Sequence, residues 1–239
     1  MDSPSSANAS AGASAGAGAI TRDELFDYWN HNAEHHPRVL GAVPAGCASA
    51  LDIGCGDGLL VRKLARRVGS VVGVDRSPEM VRLARERVGE VSNTRFLAAD
   101  FVKSRAETGA GTGSGEEIGS REDIGTGYGF VCAVTVVHHV DFTAAIGAMT
   151  EALAPSGRLV IVGIPPDSTR FDRALGMAAV CANPVYRRRN GGEGGDPAMP
   201  VARPTMSWRE VRAESKRLLP GRRYRRHLLW RYSLVWDKP

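Results

Sequence analysis

Between residues 48 and 162 the apolar positions fall into short continuous runs, separated by segments where they recur every three or four residues. The runs at 48–53, 70–74, 94–99 and 130–137 have the length and the β-branched content of buried strands. Between the first two, Leu60, Leu64 and Val68 mark one face of a helix beginning near Asp57. Val81, Ala84 and Val88 mark a second helix over 78–88, with Ser77 as N-cap and Pro78 at the first helical position. Strands alternating with helices need right-handed crossovers, so the pattern predicts a parallel sheet that binds its ligand beyond the carboxyl ends of the strands.

The flanks read differently. Thr21, Asp23 and Glu24 suggest a capped helix running through Phe26, Tyr28 and Trp29 toward His35-His36-Pro37, with a second short helix over 38–43. Residues 104–127 are rich in Gly, Ser and Glu and too poor in apolar side chains to order themselves, so they read as a flexible insertion on the rim of the sheet. After Pro165-Pro166, a short helix over 171–181 and a Gly/Pro loop are expected, then a helix capped by Ser207 and ending near Leu219. Leu228, Trp230, Tyr232, Leu234 and Trp236 alternate with Leu229, Arg231, Ser233, Val235 and Asp237, the pattern of a strand with one aromatic face.

A chain of 239 residues fits one domain over 20–239, preceded by a disordered Ser/Ala/Gly tail over 1–19 that lacks the basic and apolar regions of a signal peptide. No run approaches the roughly 20 apolar residues of a membrane span. The four cysteines (Cys47, Cys55, Cys132, Cys181) form no C-x-x-C pair, which favours a reduced cytoplasmic chain over a disulfide framework. His31, Glu34 and His35 have helical spacing for a metal, but no third ligand stands at a suitable distance along the chain, and no metal is expected. The net charge of +5 gathers late: 203–239 holds eleven Lys/Arg against three acids. Charge runs usually face water, and no RNA-binding motif accompanies this one, so nucleic acid is not the expected partner.

The candidate chemistry starts where the first strand ends, at Asp52-Ile53-Gly54-Cys55-Gly56-Asp57-Gly58. Dinucleotide loops rest a pyrophosphate on backbone N–H groups, and a carboxylate two residues before the first glycine suits a cation better. Leu59 stands where a dinucleotide loop has its third glycine. The loop resembles motif I of class I S-adenosylmethionine (SAM)-dependent methyltransferases, D-x-G-x-G-x-G, matched by Asp52, Gly54, Gly56 and Gly58, with Cys55 inside it. The resemblance extends to Asp75, the acid that would hold the ribose, with Arg76 and with Met80 against the adenine. It continues to Asp100-Phe101 for the adenine amino group and ring, and to a fourth strand carrying Val134 and Thr135 and ending in His138-His139-Val140. Tyr128-Gly129 replaces the family's frequent Phe-Asp.

This resemblance implies an α/β, Rossmann-like, doubly wound and mostly parallel seven-stranded sheet with an antiparallel C-terminal strand. It implies SAM as cofactor and a small-molecule methyl acceptor reacting through O, N or C. His138 and His139 stand where a general base would reach that acceptor, with packing or helix capping as the competing reading. Two other functions stay open at this point: a SAM-binding protein working with RNA, and a nicotinamide-dependent oxidoreductase.

Overall fold

The computed structural model describes residues 27–109, 124–166, 169–194 and 204–239. Seven strands form one sheet: β1 (Ser49–Ile53), β2 (Ser70–Asp75), β3 (Thr94–Ala98), β4 (Tyr128–Val134), β5 (Leu153–Gly163), β6 (Arg223–His227) and β7 (Arg231–Asp237). Their order is β3-β2-β1-β4-β5-β7-β6; the first five are parallel, and β7 runs antiparallel to both β5 and β6. The fold is thus the Rossmann-like sheet with an antiparallel C-terminal strand that the resemblance implies. The order reverses between β1 and β4, which opens a crevice at their carboxyl ends.

The helices are α1 (His36–Gly41, after a 3-10 turn at Ala33–His35), α2 (Leu59–Ala65), α3 (Pro78–Val88), α4 (Phe101–Gly109), α5 (Phe142–Ala152), α6 (Arg170–Arg189) and α7 (Trp208–Leu218). Successive strand residues point to opposite faces, and each face is covered. Phe130 and Cys132 pack with Leu60 and Leu64 of α2 and Val81 and Ala84 of α3, whereas Val131 and Ala133 pack with Ala145, Ile146 and Met149 of α5 and Trp208 of α7. The predicted faces of α2 and α3 are the buried ones, and Ser77 caps α3 by accepting from the Met80 N–H.

Several predicted boundaries move. Residues 27–30 carry no regular structure, because the Asn30 side chain takes the Asn32 and Ala33 N–H groups at 2.9 and 2.8 Å and turns the chain there. Pro37, which a helix tolerates only in its first turn, then opens α1; residues 21–26 of the predicted helix lie outside the described residues. The predicted insertion at 104–127 is helical over 104–109, which continue α4, and residues 110–123 lie outside the described residues, as does the tail over 1–19. Helix α6 continues past Cys181 through Pro184. Its second half is anchored by Asn183 on His31 and by Tyr186 stacked on Trp29.

The last strand begins at Arg231, not Leu228, since Leu229 and Trp230 both adopt left-handed conformations (φ 62° and 57°) and reverse the chain between β6 and β7. Tyr232, Leu234 and Trp236 keep their common buried face. Strand β6, carrying Arg223, Arg225 and Arg226, forms one edge of the sheet.

A candidate active site at the switch point

The glycine loop leaves β1 with its backbone tied to β2: the Gly54 and Cys55 N–H groups both donate to the Val74 carbonyl, at 2.7 and 3.0 Å. Gly54, Gly56 and Gly58 all have positive φ (70°, 53° and 83°), which a Cβ would strain. At Gly54 there is also no room, because a Cβ there would lie 2.2 Å from a Val136 methyl. Gly54→Ala should therefore lower stability by about 1–3 kcal/mol through overpacking and backbone strain, read as a reduced denaturation midpoint in urea.

A cavity of about 360 Å³ opens over this loop. Every sequence-predicted site residue lines it except Gly58: Asp52, Gly54, Cys55, Gly56, Asp75, Arg76, Met80, Asp100, Phe101, Val134, Thr135, His138 and His139. Gly58 works from behind instead, since a Cβ there would strike Val88 and Ala84 of α3. It lets α2 and α3 pack closely.

Asp52 is 2 % exposed and accepts a hydrogen bond from the Cys132 thiol at 3.3 Å. Burial, reinforced by Asp75, raises its pKa to about 7 against the lowering effect of that bond. Among the described residues no cationic side chain is bonded to this buried carboxylate, which faces the cavity. Asp75 ends β2 and holds the loop with one oxygen, which accepts from the Gly56 N–H at 3.0 Å, while the other accepts from the Ser77 N–H at 2.9 Å. A carboxylate has about four lone-pair positions, so ribose hydroxyls still find acceptors. Asp100 caps α4 through the Lys103 N–H, with Phe101 buried next to it.

On the far wall β4 ends at Val134, three residues earlier than predicted, because Thr135 turns left-handed (φ 62°) and its N–H donates to the Val162 carbonyl at 2.7 Å. A β-branched residue in that conformation costs about 1–2 kcal/mol, and its hydroxyl is buried without a partner. Thr135 thus joins backbone strain and an orphaned hydroxyl at the cavity wall. A 3-10 turn (Val137–His139) follows and brings the two imidazoles together at a tilt of 39°, with ring centroids 4.0 Å apart. Burial, followed by His139 and Arg231, lowers the His138 pKa to about 4, and its Nδ1 is buried without a partner. Burial and Arg76 lower His139 as well. Asp141 caps α5 through the Ala144 N–H.

A second cavity of about 280 Å³ shares His138, Val140 and Ile164 with the first, and Phe142, Met206 and Tyr232 also line it.

Sequence reasoning missed three parts of the site. Asp57, 2 % exposed, accepts from the Tyr28 hydroxyl and from Arg87, which pins the N-terminal segment onto the loop. Asn30, Asn32 and His36 of that segment line the cavity, and so does Arg231 from β7. His31 and His35 diverge: His31 meets Asn183 and Glu193, while His35 lies against the His227 ring. Among the described residues, no cluster of three His, Cys, Asp or Glu groups could hold a metal ion, and no helix is long and apolar enough to cross a membrane.

A family model for a methyltransferase domain matches residues 51–159. An uncharacterized methyltransferase of Mycobacterium tuberculosis is 27% identical over 216 residues, which cover 88% of this chain and 98% of that protein. A ubiquinone biosynthesis O-methyltransferase of Chelativorans sp. is 33% identical over 170 residues, 71% of this chain and 57% of that protein. Among solved structures, the N-methyltransferase NodS of Bradyrhizobium japonicum in complex with S-adenosyl-L-homocysteine shares the fold, with a TM-score of 0.55 at 18% identity over 90% of each chain.

Proposed function

We propose that this chain, which belongs to the class I SAM-dependent methyltransferases, methylates a small molecule held at the junction of its two cavities, with His138 against the reacting atom. The observation carrying this reading is the second cavity, a half-open space beside the cofactor cavity that meets it at His138. A cleft of about 280 Å³ has room for a small molecule. The single domain over 20–239 and the cytoplasmic setting expected from the sequence belong to the same proposal.

The residues present fit SAM. Asp52 would face its ammonium, Asp75 its ribose hydroxyls, and Asp100 and Phe101 the adenine, with Met80 against the ring, all of them lining the cavity. Bound SAM supplies a methyl group already activated by its sulfonium. The protein's task is then to hold the acceptor in line behind that methyl, an effect worth about 7–11 kcal/mol in well-oriented systems. In the displacement, an acceptor lone pair forms the new bond to carbon while the carbon–sulfur pair returns to sulfur. His138 is neutral at pH 7, so a ring nitrogen can take the proton that a protonated acceptor releases.

Several of the late arginines are engaged within the fold, which favours this reading over an RNA partner. Arg158 and Arg223 meet Asp237, Arg217 meets Glu214, and Arg226 pairs with Asp172 while lying over the Trp208 ring. Arg187, Arg188 and Arg189 end α6, where positive charge complements the helix dipole. A screen of phenols, carboxylic acids and amines for S-adenosylhomocysteine formation tests the proposal, and turnover only with RNA would overturn it.

The raised Asp52 pKa adds a pH dependence. The ammonium needs the carboxylate charged, so below about pH 7 binding must first expel a proton. SAM affinity should fall from pH 7.5 to pH 6 by up to about tenfold per pH unit below that pKa, measured by calorimetry. Asp52→Asn should bind weakly and without this slope.

A further inference from the structure

Arg231 is 8 % exposed, yet among the described residues no carboxylate pairs with it. One terminal nitrogen donates to the Asn32 side-chain oxygen at 2.8 Å and the other to the Leu229 carbonyl at 3.3 Å, while Nε is buried without a partner. Its charge helps to keep the His35 and His138 imidazoles neutral, and Arg38 acts on His35 in the same sense. Burying a guanidinium without an anion costs several kcal/mol, and burial alone brings this one down to about 10. Such a group on a ligand cavity wall is matched when the ligand brings the negative charge, and a guanidinium fork suits a carboxylate.

The fold decides which ligand. The cofactor stations lie on β1, β2, β3 and the end of β4. Arg231 opens β7, which follows β5 in the sheet, so its strand lies three strand spacings from β1, about 14 Å away. Gly163 pairs with Tyr232, which sets Arg231 level with Ile164, just beyond the carboxyl end of β5. Arg231 itself lines the first cavity and not the second, which the first meets at Ile164 and His138. Resting on the SAM-dependent reading above, we infer that Arg231 binds a carboxylate carried by the methyl acceptor, so that the acceptor class is a small organic acid, its acid group at Arg231 and its body in the second cavity.

The test uses the full chain saturated with S-adenosylhomocysteine, with four acids (benzoate, 4-hydroxybenzoate, anthranilate and indole-3-acetate) titrated calorimetrically against their primary amides. At least one acid should bind tenfold or more tightly than its amide. Arg231→Met should erase that preference and leave SAM affinity within about threefold, and Arg231→Lys, which keeps the charge, should retain part of it. The inference is overturned if no acid outbinds its amide in the unaltered protein, a comparison that needs no folded variant. It is equally overturned if the preference survives in Arg231→Met, or if SAM affinity falls in step with that of the acid, because the guanidinium would then hold the carboxylate of the cofactor. Failure of the unaltered protein to bind SAM or S-adenosylhomocysteine would instead bring down the cofactor reading together with the inference that rests on it.

Discussion

Asp75→Ala should weaken SAM binding by at least about tenfold, and by more than the loss of the ribose contacts alone. Removing a charged acceptor of two hydroxyl hydrogen bonds costs about 1.5–3 kcal/mol. The same carboxylate also accepts from the Gly56 and Ser77 N–H groups, so the alanine variant frees the tip of the glycine loop and the entry to α3. The variant should therefore lose stability as well as affinity, whereas Asp75→Asn, which keeps a side-chain oxygen, should spare more of both. Calorimetric titration with SAM, paired with urea denaturation of the unliganded protein, separates the two losses. Affinity unchanged in Asp75→Ala would remove the ribose from this position.

His138→Gln should leave SAM affinity within about twofold and lower kcat by about a hundredfold, the usual scale of a lost general base. With the His138 pKa near 4, the rate should show no histidine titration between pH 5 and pH 8. The loss should shrink for acceptors already deprotonated at the assay pH. His139→Gln should cost less, since His138 alone sits at the junction of the two cavities. A merely packed histidine gives another pattern, in which thermal stability and SAM affinity fall together regardless of acceptor acidity. Full activity in both single variants and in the double would leave positioning alone to carry the reaction.

The sheet and its acidic stations were legible because each is local: an apolar run, then a polar residue or glycine where the strand ends. Asp52, Asp75 and Asp100 could be placed from a few neighbours each. The boundaries that moved depend on conformations the residue types do not advertise. Thr135 ends β4 in a left-handed geometry that a strand former rarely adopts, and Leu229-Trp230 reverse the chain where a search for Gly or Asn finds nothing. The rest of the site is assembled over long distances. Asp57 is completed by Tyr28 and Arg87, and Arg231 meets Asn32 199 residues away. In the sequence, Arg231 is one polar member of an alternating strand, with nothing nearby to separate it from an arginine facing water.

Strand β6 carries a consequence of another kind. An unpaired strand edge is a template on which a second sheet can continue, the route to aggregates and domain exchange. Arg223 and Arg225 stand exposed on this edge, Arg223 with only a 3.7 Å contact to Asp237, so two copies approaching edge to edge would bring these guanidinium groups together. Part of the late surplus of positive charge thereby keeps neighbouring molecules apart in a crowded solution. A variant that exchanged exposed Arg223 and Arg225 for threonine would gain strand propensity and lose solubility, with the reaction chemistry untouched.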